Sequence, residues 1–221
     1  MRQAADQRID DKGAPDARLA ANEERQMKEL SELDAIRQQG ILSSLAGFPI
    51  LIVFAFVWTA AGVLSYLLPP GIAPWVYVFL GAPAMPVAIM LELRLGYVPA
   101  PKPDPLFPLA IQLLFVQVVA FPAILLVWSA EPEFMPVAFA AIVGAHFLPY
   151  HWVYQTRIYT ILGVTVATGP YILAALFDEQ SMHYTGFFVG AVLLIGALSV
   201  RAHARRVWLE SQTAQREPVH R

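Results

Sequence analysis

The sequence predicts an all-α polytopic transmembrane bundle of six helices, both termini cytoplasmic, preceded by a cytoplasmic amphipathic helix. Three observations predict it. The chain of 221 residues is 57% hydrophobic and only 14% charged, where soluble domains carry about a quarter. The depletion is local: residues 44–200 hold nine charged side chains, while residues 1–43 hold sixteen. Finally, every Lys and Arg falls on one side of the six-span topology.

A protein in water spreads charge over its surface. The middle of this chain cannot, so a bilayer is its natural solvent. Crossing ~30 Å of hydrocarbon takes about 20 apolar residues, and six stretches qualify: 46–68, 72–93, 106–129, 134–153, 156–177 and 183–204. Pro69-Pro70-Gly71 ends the first. Prolines 99, 101, 103 and 105 favour an extended linker after the second. Glu131-Pro132-Glu133 and Asp178-Glu179 mark two further breaks, and the connection near Gln155 is the tightest.

With six spans, one side receives the N-terminal tail, the 94–105 loop, the turn at Arg157 and the C-terminal tail. These hold seven, two, one and five Lys or Arg, all fifteen in the chain. The loops near 70, 131 and 179 hold none, and carry Glu131, Glu133, Asp178 and Glu179 instead. Basic loops stay cytoplasmic, which puts both termini inside. Trp75 and Trp128 fall at outer ends, Trp152 and Trp208 at or beyond inner ends, and Trp58 near a span centre.

Three regions follow: a tail over 1–43, a transmembrane domain over 44–204 and a tail over 205–221. Residues 1–14 read as disordered. Residues 16–38 read as a helix, with Asp16 as cap, Gly40 as stop, and Leu19, Met27, Leu30, Leu33 and Ile36 on one face. The early polar stretch is not a signal peptide, so the first span is expected to direct insertion.

The chain has no cysteine, which excludes disulfides, thiolate nucleophiles and iron–sulfur clusters. A net charge of −2 argues against a nucleic-acid binder. No phosphate loop, H-E-x-x-H or G-x-S-x-G is present. No cofactor or metal is expected, and nothing speaks for an enzyme.

The fourth span is the most unusual. His146 lies roughly 10 Å from its inner end at helical rise, where a histidine usually faces the bundle interior. Tyr150 is one turn on. Pro149 cannot bond the carbonyl of Ala145, which leaves an acceptor beside the histidine. Gln112 on the third span falls at similar depth, and Gln117 near the midplane. A polar cluster of His146 with Gln112 or Tyr150, with Gln117 nearby, is the leading candidate site; interhelical hydrogen bonding that merely holds the bundle is the alternative. His151 and His203 match in depth near the inner surface. Gly186 and Gly190 on the sixth span, and Gly163, Ala167 and Gly169 on the fifth, form small faces for packing within the chain or across a dimer. The N-terminal helix is a second candidate surface for a homo-oligomer or membrane partner.

The run Ala141-Ile142-Val143-Gly144-Ala145-His146-Phe147-Leu148-Pro149-Tyr150, followed by Trp152, Tyr154 and Gln155, resembles a family of small bacterial membrane proteins known only as a domain of unknown function. The resemblance spans about residues 44–200 and is specific over some fifteen residues. It implies a bacterial inner membrane and a six-helix domain, and no activity. The long charged N-terminal segment goes beyond the family's usual pattern.

Two functional classes remain: a transporter, channel or small-ligand binder with its site at His146, or a structural or assembly protein acting through helix faces. The first requires a cavity at His146; the second, a sealed interior.

Overall fold

A computed structural model describes the backbone of residues 14–216 and the side chains of 19–214. The disordered segment expected over 1–14 lies, but for Ala14, outside the described residues. The chain divides into two units, residues 1–37 and 38–221.

The first helix, α1 (Ala14–Ser44), provides most of the first unit. Asp16, expected as its cap, lies inside the helix. Arg25 and Glu29 pair at 3.0 Å and Arg37 and Asp34 at 3.2 Å. Leu19, Met27 and Leu30 are exposed. Gly40 does not stop the helix: the Ser44 hydroxyl donates back to the Gly40 carbonyl (2.8 Å) and α1 runs on to Ser44. It ends instead in a buried 3-10 turn, Leu45–Gly47, with Leu45 and Ala46 at φ 52° and Gly47 at φ 78°.

The second unit is helical throughout its described residues. It contains α2 (Phe48–Ser65), the one-turn α3 (Val76–Phe79), α4 (Gly81–Leu95), α5 (Phe107–Ala130), α6 (Met135–Phe147), the one-turn α7 (Tyr150–Val153), α8 (Ile158–Phe177) and α9 (Ser181–Arg216). Five helices are long and apolar enough to cross a membrane: Leu19–Ser65, Ala73–Leu95, Phe107–Ala130, Pro132–Val153 and Ile158–Ala214. The sequence reading expects six. The difference lies in the last, where the helical run continues through residues 178–180. Asp178, at φ 51° and ψ −127°, breaks that run into α8 and α9, which pack against each other. The helix of α9 continues past residue 204 to Arg216, because no Gly or Pro interrupts it there.

The centre of the unit is the long contact between α2 and α9. Glycine makes it close. A Cβ on Gly186 would stand 2.6 Å from the Cα of Gly62, and one on Gly190 would stand 2.9 Å from the carbonyl oxygen of Ala55. The small face of α9, read as a candidate partner surface, is thus filled by α2 of the same chain. Gly144 of α6 meets Gly163 and Ala167 of α8 in the same manner. Val189, Leu193, Ala197 and Val200 complete the core from α9. The helices α4 and α5 are the least buried. Of the long helices, α4 packs mainly on α2, and α5 on α6.

Charge separates along the unit. At one end Arg201 sits over the ring of Phe48 at 5.0 Å. Tyr97, three residues past Arg94, stacks on Trp208 at 5.3 Å. His203 Nε2 donates to the carbonyl of Tyr154, 3.1 Å away and three residues before Arg157. The segments just after Arg94, in the last turn of α4, and just before Arg157 therefore meet the basic stretch of α9. At the other end, Glu133 holds the Glu131 carboxyl above the usual carboxylate range by hydrogen bonding and repulsion, and Asp178 and Glu179 add to it.

Candidate functional site

A cavity of about 90 Å³ lies between the helices. Phe54 and Trp58 of α2, Tyr77 of α3, Met85 of α4, Leu114 and Gln117 of α5, and Phe139 and His146 of α6 all line it. Trp58 stacks against Phe139 (5.6 Å) and tilts against Tyr77 (5.4 Å). The phenol of Tyr77 is turned away from the apolar space, donating to the carbonyl of Met182 at 2.6 Å. That leaves His146 and Gln117 as the polar side chains on an otherwise aromatic and aliphatic wall.

His146 does not use the acceptor expected for it. Pro149 ends the regular helix, but the carbonyl of Ala145 is taken by the N–H of Leu148 at 3.2 Å. His146 Nδ1 instead lies 2.5 Å from the carbonyl of Val143. A carbonyl only accepts, so Nδ1 carries the proton and Nε2 is the acceptor of a singly protonated ring.

Of the residues singled out from sequence, the structure brings His146 and Gln117 to one cavity. Tyr150 touches His146 edge-on, at 5.9 Å between ring centroids, but does not line the space. Gln112 is exposed and does not line it either. Five residues separate Gln112 from Gln117, about 140° of helix rotation, and it is Gln117 that faces the cavity. His151 and His203 do not pair. His151 Nδ1 meets the Thr160 hydroxyl at 2.8 Å, while His203 bonds the Tyr154 carbonyl.

Several contacts join residues too distant in sequence for spacing to reveal. The Ser65 hydroxyl donates to the Gly62 carbonyl (2.7 Å) and stands 2.6 Å from His183 Nδ1. Its single proton is spent on the carbonyl, so His183 is the donor. The His183 ring stacks on Tyr66 at 3.9 Å. A triad base would have to accept the serine's proton, so this pair has the polarity of a brace between α2 and α9. Tyr150, Tyr154 and Tyr159 form a mutual cluster with centroids 5.3–5.8 Å apart, joined to Ser44 through Tyr154.

An all-α bundle with several long apolar helices is compatible with a membrane protein. The chain belongs to a family of unknown function, DUF7010, whose match covers residues 33–203. No curated protein and no solved structure matches it.

Proposed function

We propose that this chain is a six-crossing protein of the bacterial inner membrane that binds a small molecule in the cavity at His146. The observation that carries the reading is that His146 of α6 and Gln117 of α5 line one apolar space between helices. A mostly apolar pocket with a few convergent polar groups is the general form of a ligand site. Transport would follow if the bundle opened that space to both sides; prolines 86, 122 and 170 inside α4, α5 and α8 favour bending there. Six crossings follow from treating the break at Asp178 as a turn between α8 and α9. The gathering of basic residues at one end and acidic residues at the other supports cytoplasmic termini.

The test uses 1-butanol, a small neutral molecule with one hydroxyl donor. Trp58 lines the cavity, so its fluorescence reports occupancy in a variant whose other four tryptophans are phenylalanine. His146→Phe is expected to weaken binding by about tenfold, the worth of one hydrogen bond. Butanol that leaves Trp58 unperturbed, or binds both forms alike, overturns the reading.

A second reading is an assembly role. It rests on the exposed Leu19, Met27 and Leu30 of α1, which offer a stripe to a second copy or a membrane partner. Loss of a homo-oligomer on deleting residues 1–37 would favour it.

A further inference from the structure

The walls of the His146 cavity are unequal. Its back is buried: Trp58 is 3% exposed and Val143 is 8% exposed. Its front is formed by α4 and α5, and Leu114, which lines it, is 47% exposed. Among the described residues α4 and α5 make no extended packing contact with each other, since α4 leans on α2 and α5 on α6. Trp75, in the 3-10 turn Ala73–Trp75 that leads into α3, reaches across to α5, meeting Phe121 at 6.5 Å and Trp128 at 5.2 Å. Below that aromatic clasp, Gly81 and Met85 of α4 and Leu114 and Gln117 of α5 border the same space. Gln117 is ten residues into α5, about 15 Å along it at helical rise, which is half the hydrocarbon thickness.

From this arrangement we infer that the cavity is loaded sideways from the bilayer, between α4 and α5, and that its ligand is an uncharged lipophile with a hydroxyl head. The inference rests on the proposed cavity reading and adds the route and the ligand class. Size supports it. A cavity of about 90 Å³ is smaller than the ~150 Å³ known to hold benzene, so it takes a head group and little more. The remainder of a longer molecule leaves between α4 and α5, where the neighbouring surfaces are lipid-compatible: Val118, one turn on from Leu114, is 58% exposed, and Ile89, one turn on from Met85, is 48% exposed. The head hydroxyl donates to His146 Nε2, the ring nitrogen left free by the bond to Val143, and the Gln117 amide is the second polar group within the space. A charged solute is disfavoured, because a midplane route through hydrocarbon costs several kcal/mol per charge.

A straight-chain alcohol series from 1-butanol to 1-decanol separates a side opening from a closed pocket. The protein is held in lipid nanodiscs, binding is read from Trp58 as the single tryptophan, and dissociation constants are expressed as bilayer mole fractions. A side-loaded site binds the whole series within about threefold, because carbons beyond the cavity exchange one hydrocarbon surrounding for another. Binding that stops at a chain length near pentanol overturns side loading and leaves the cavity reading intact. Failure of butanol itself removes both. Val118→Phe, one turn from Leu114 and outside the cavity lining, narrows the gap without adding a tryptophan and is expected to abolish decanol binding and spare butanol. Equal retention of both alcohols in that variant also overturns the route.

Discussion

The hydroxyl of Tyr159 on α8 donates to the carbonyl of Ala46 at 2.7 Å, across 113 residues of sequence. Both residues are buried, and the bond fastens the joint between α1 and α2. Leu45 and Ala46 both stand at φ 52°, a conformation that costs a non-glycine residue about 1–2 kcal/mol. Such strain persists where the surroundings over-determine it. Here the surroundings are the Tyr159 hydroxyl and a ring packed on Tyr150 and Tyr154.

Tyr159→Phe keeps the ring and removes the donor. The buried Ala46 carbonyl then loses its partner, at an expected cost of about 1–3 kcal/mol. Gly47→Ala should cost more. Gly47 has φ 78°, and a Cβ there would run into the Tyr159 hydroxyl, so that variant meets strain and loses the bond together. Denaturant unfolding in detergent micelles ranks the two. Equal stability of Tyr159→Phe and the parent would show that the hydroxyl does not hold the joint.

The α2–α9 seam makes a second prediction. Gly186→Ala puts a methyl 2.6 Å from the backbone of Gly62, and backbone cannot turn aside as a side chain can. Overpacking of this kind costs about 1–3 kcal/mol. Gly71→Ala meets nothing within 4 Å and is expected to change stability by less than about 0.5 kcal/mol. Melting temperatures of the two variants, measured at several protein concentrations, check both points. A Gly186→Ala effect that appears only as loss of a dimer would return this face to an intermolecular role.

The apolar runs were legible because hydropathy is a property of local composition. Hence α5, with no long-range requirement, falls almost where its residues predict. The end of α1 was not legible. Gly40 looks like a stop, but the terminating conformation lies at Leu45 and Ala46, ordinary helix formers, and the group that binds the Ala46 carbonyl is Tyr159 from distant α8. The candidate site was half legible. The depth of His146 and Gln117 follows from counting residues, whereas facing direction depends on which side of α5 packs on α6. Trp58, Tyr77 and Phe139 complete the wall from three separate elements, and no spacing within one helix could have linked them.

Facing direction yields a prediction of its own. Gln117→Leu removes one of the two polar side chains from the cavity and is expected to weaken 1-butanol binding about three- to tenfold, the range of a neutral hydrogen bond. Gln112→Leu, at an exposed position, should leave binding unchanged. Titration of Trp58 fluorescence in both variants tests the assignment, and a reversed order would mean that α5 is rotated relative to this description.

The proposed topology can be tested with unusual directness because the chain contains no cysteine. A single cysteine introduced anywhere is then the sole thiol. Glu179→Cys places it in the 3-10 turn at Asp178–Gln180, between α8 and α9. Lys102→Cys places it in the loop between α4 and α5, at the end where basic residues collect. A membrane-impermeant maleimide added to intact cells should label position 179 and not position 102; after permeabilisation both should react. The physical reason is the asymmetry of charge: the 179 loop holds acids and no bases, while every Lys and Arg of the six-crossing arrangement lies on the opposite side. Labelling of both positions from outside, or of 102 alone, would rule the arrangement out. Because the two loops flank different helices, the pattern also separates a simple inversion, which exchanges the two results, from a run of α8 into α9 that fails to turn back, which leaves position 179 buried in lipid and unreactive even after permeabilisation.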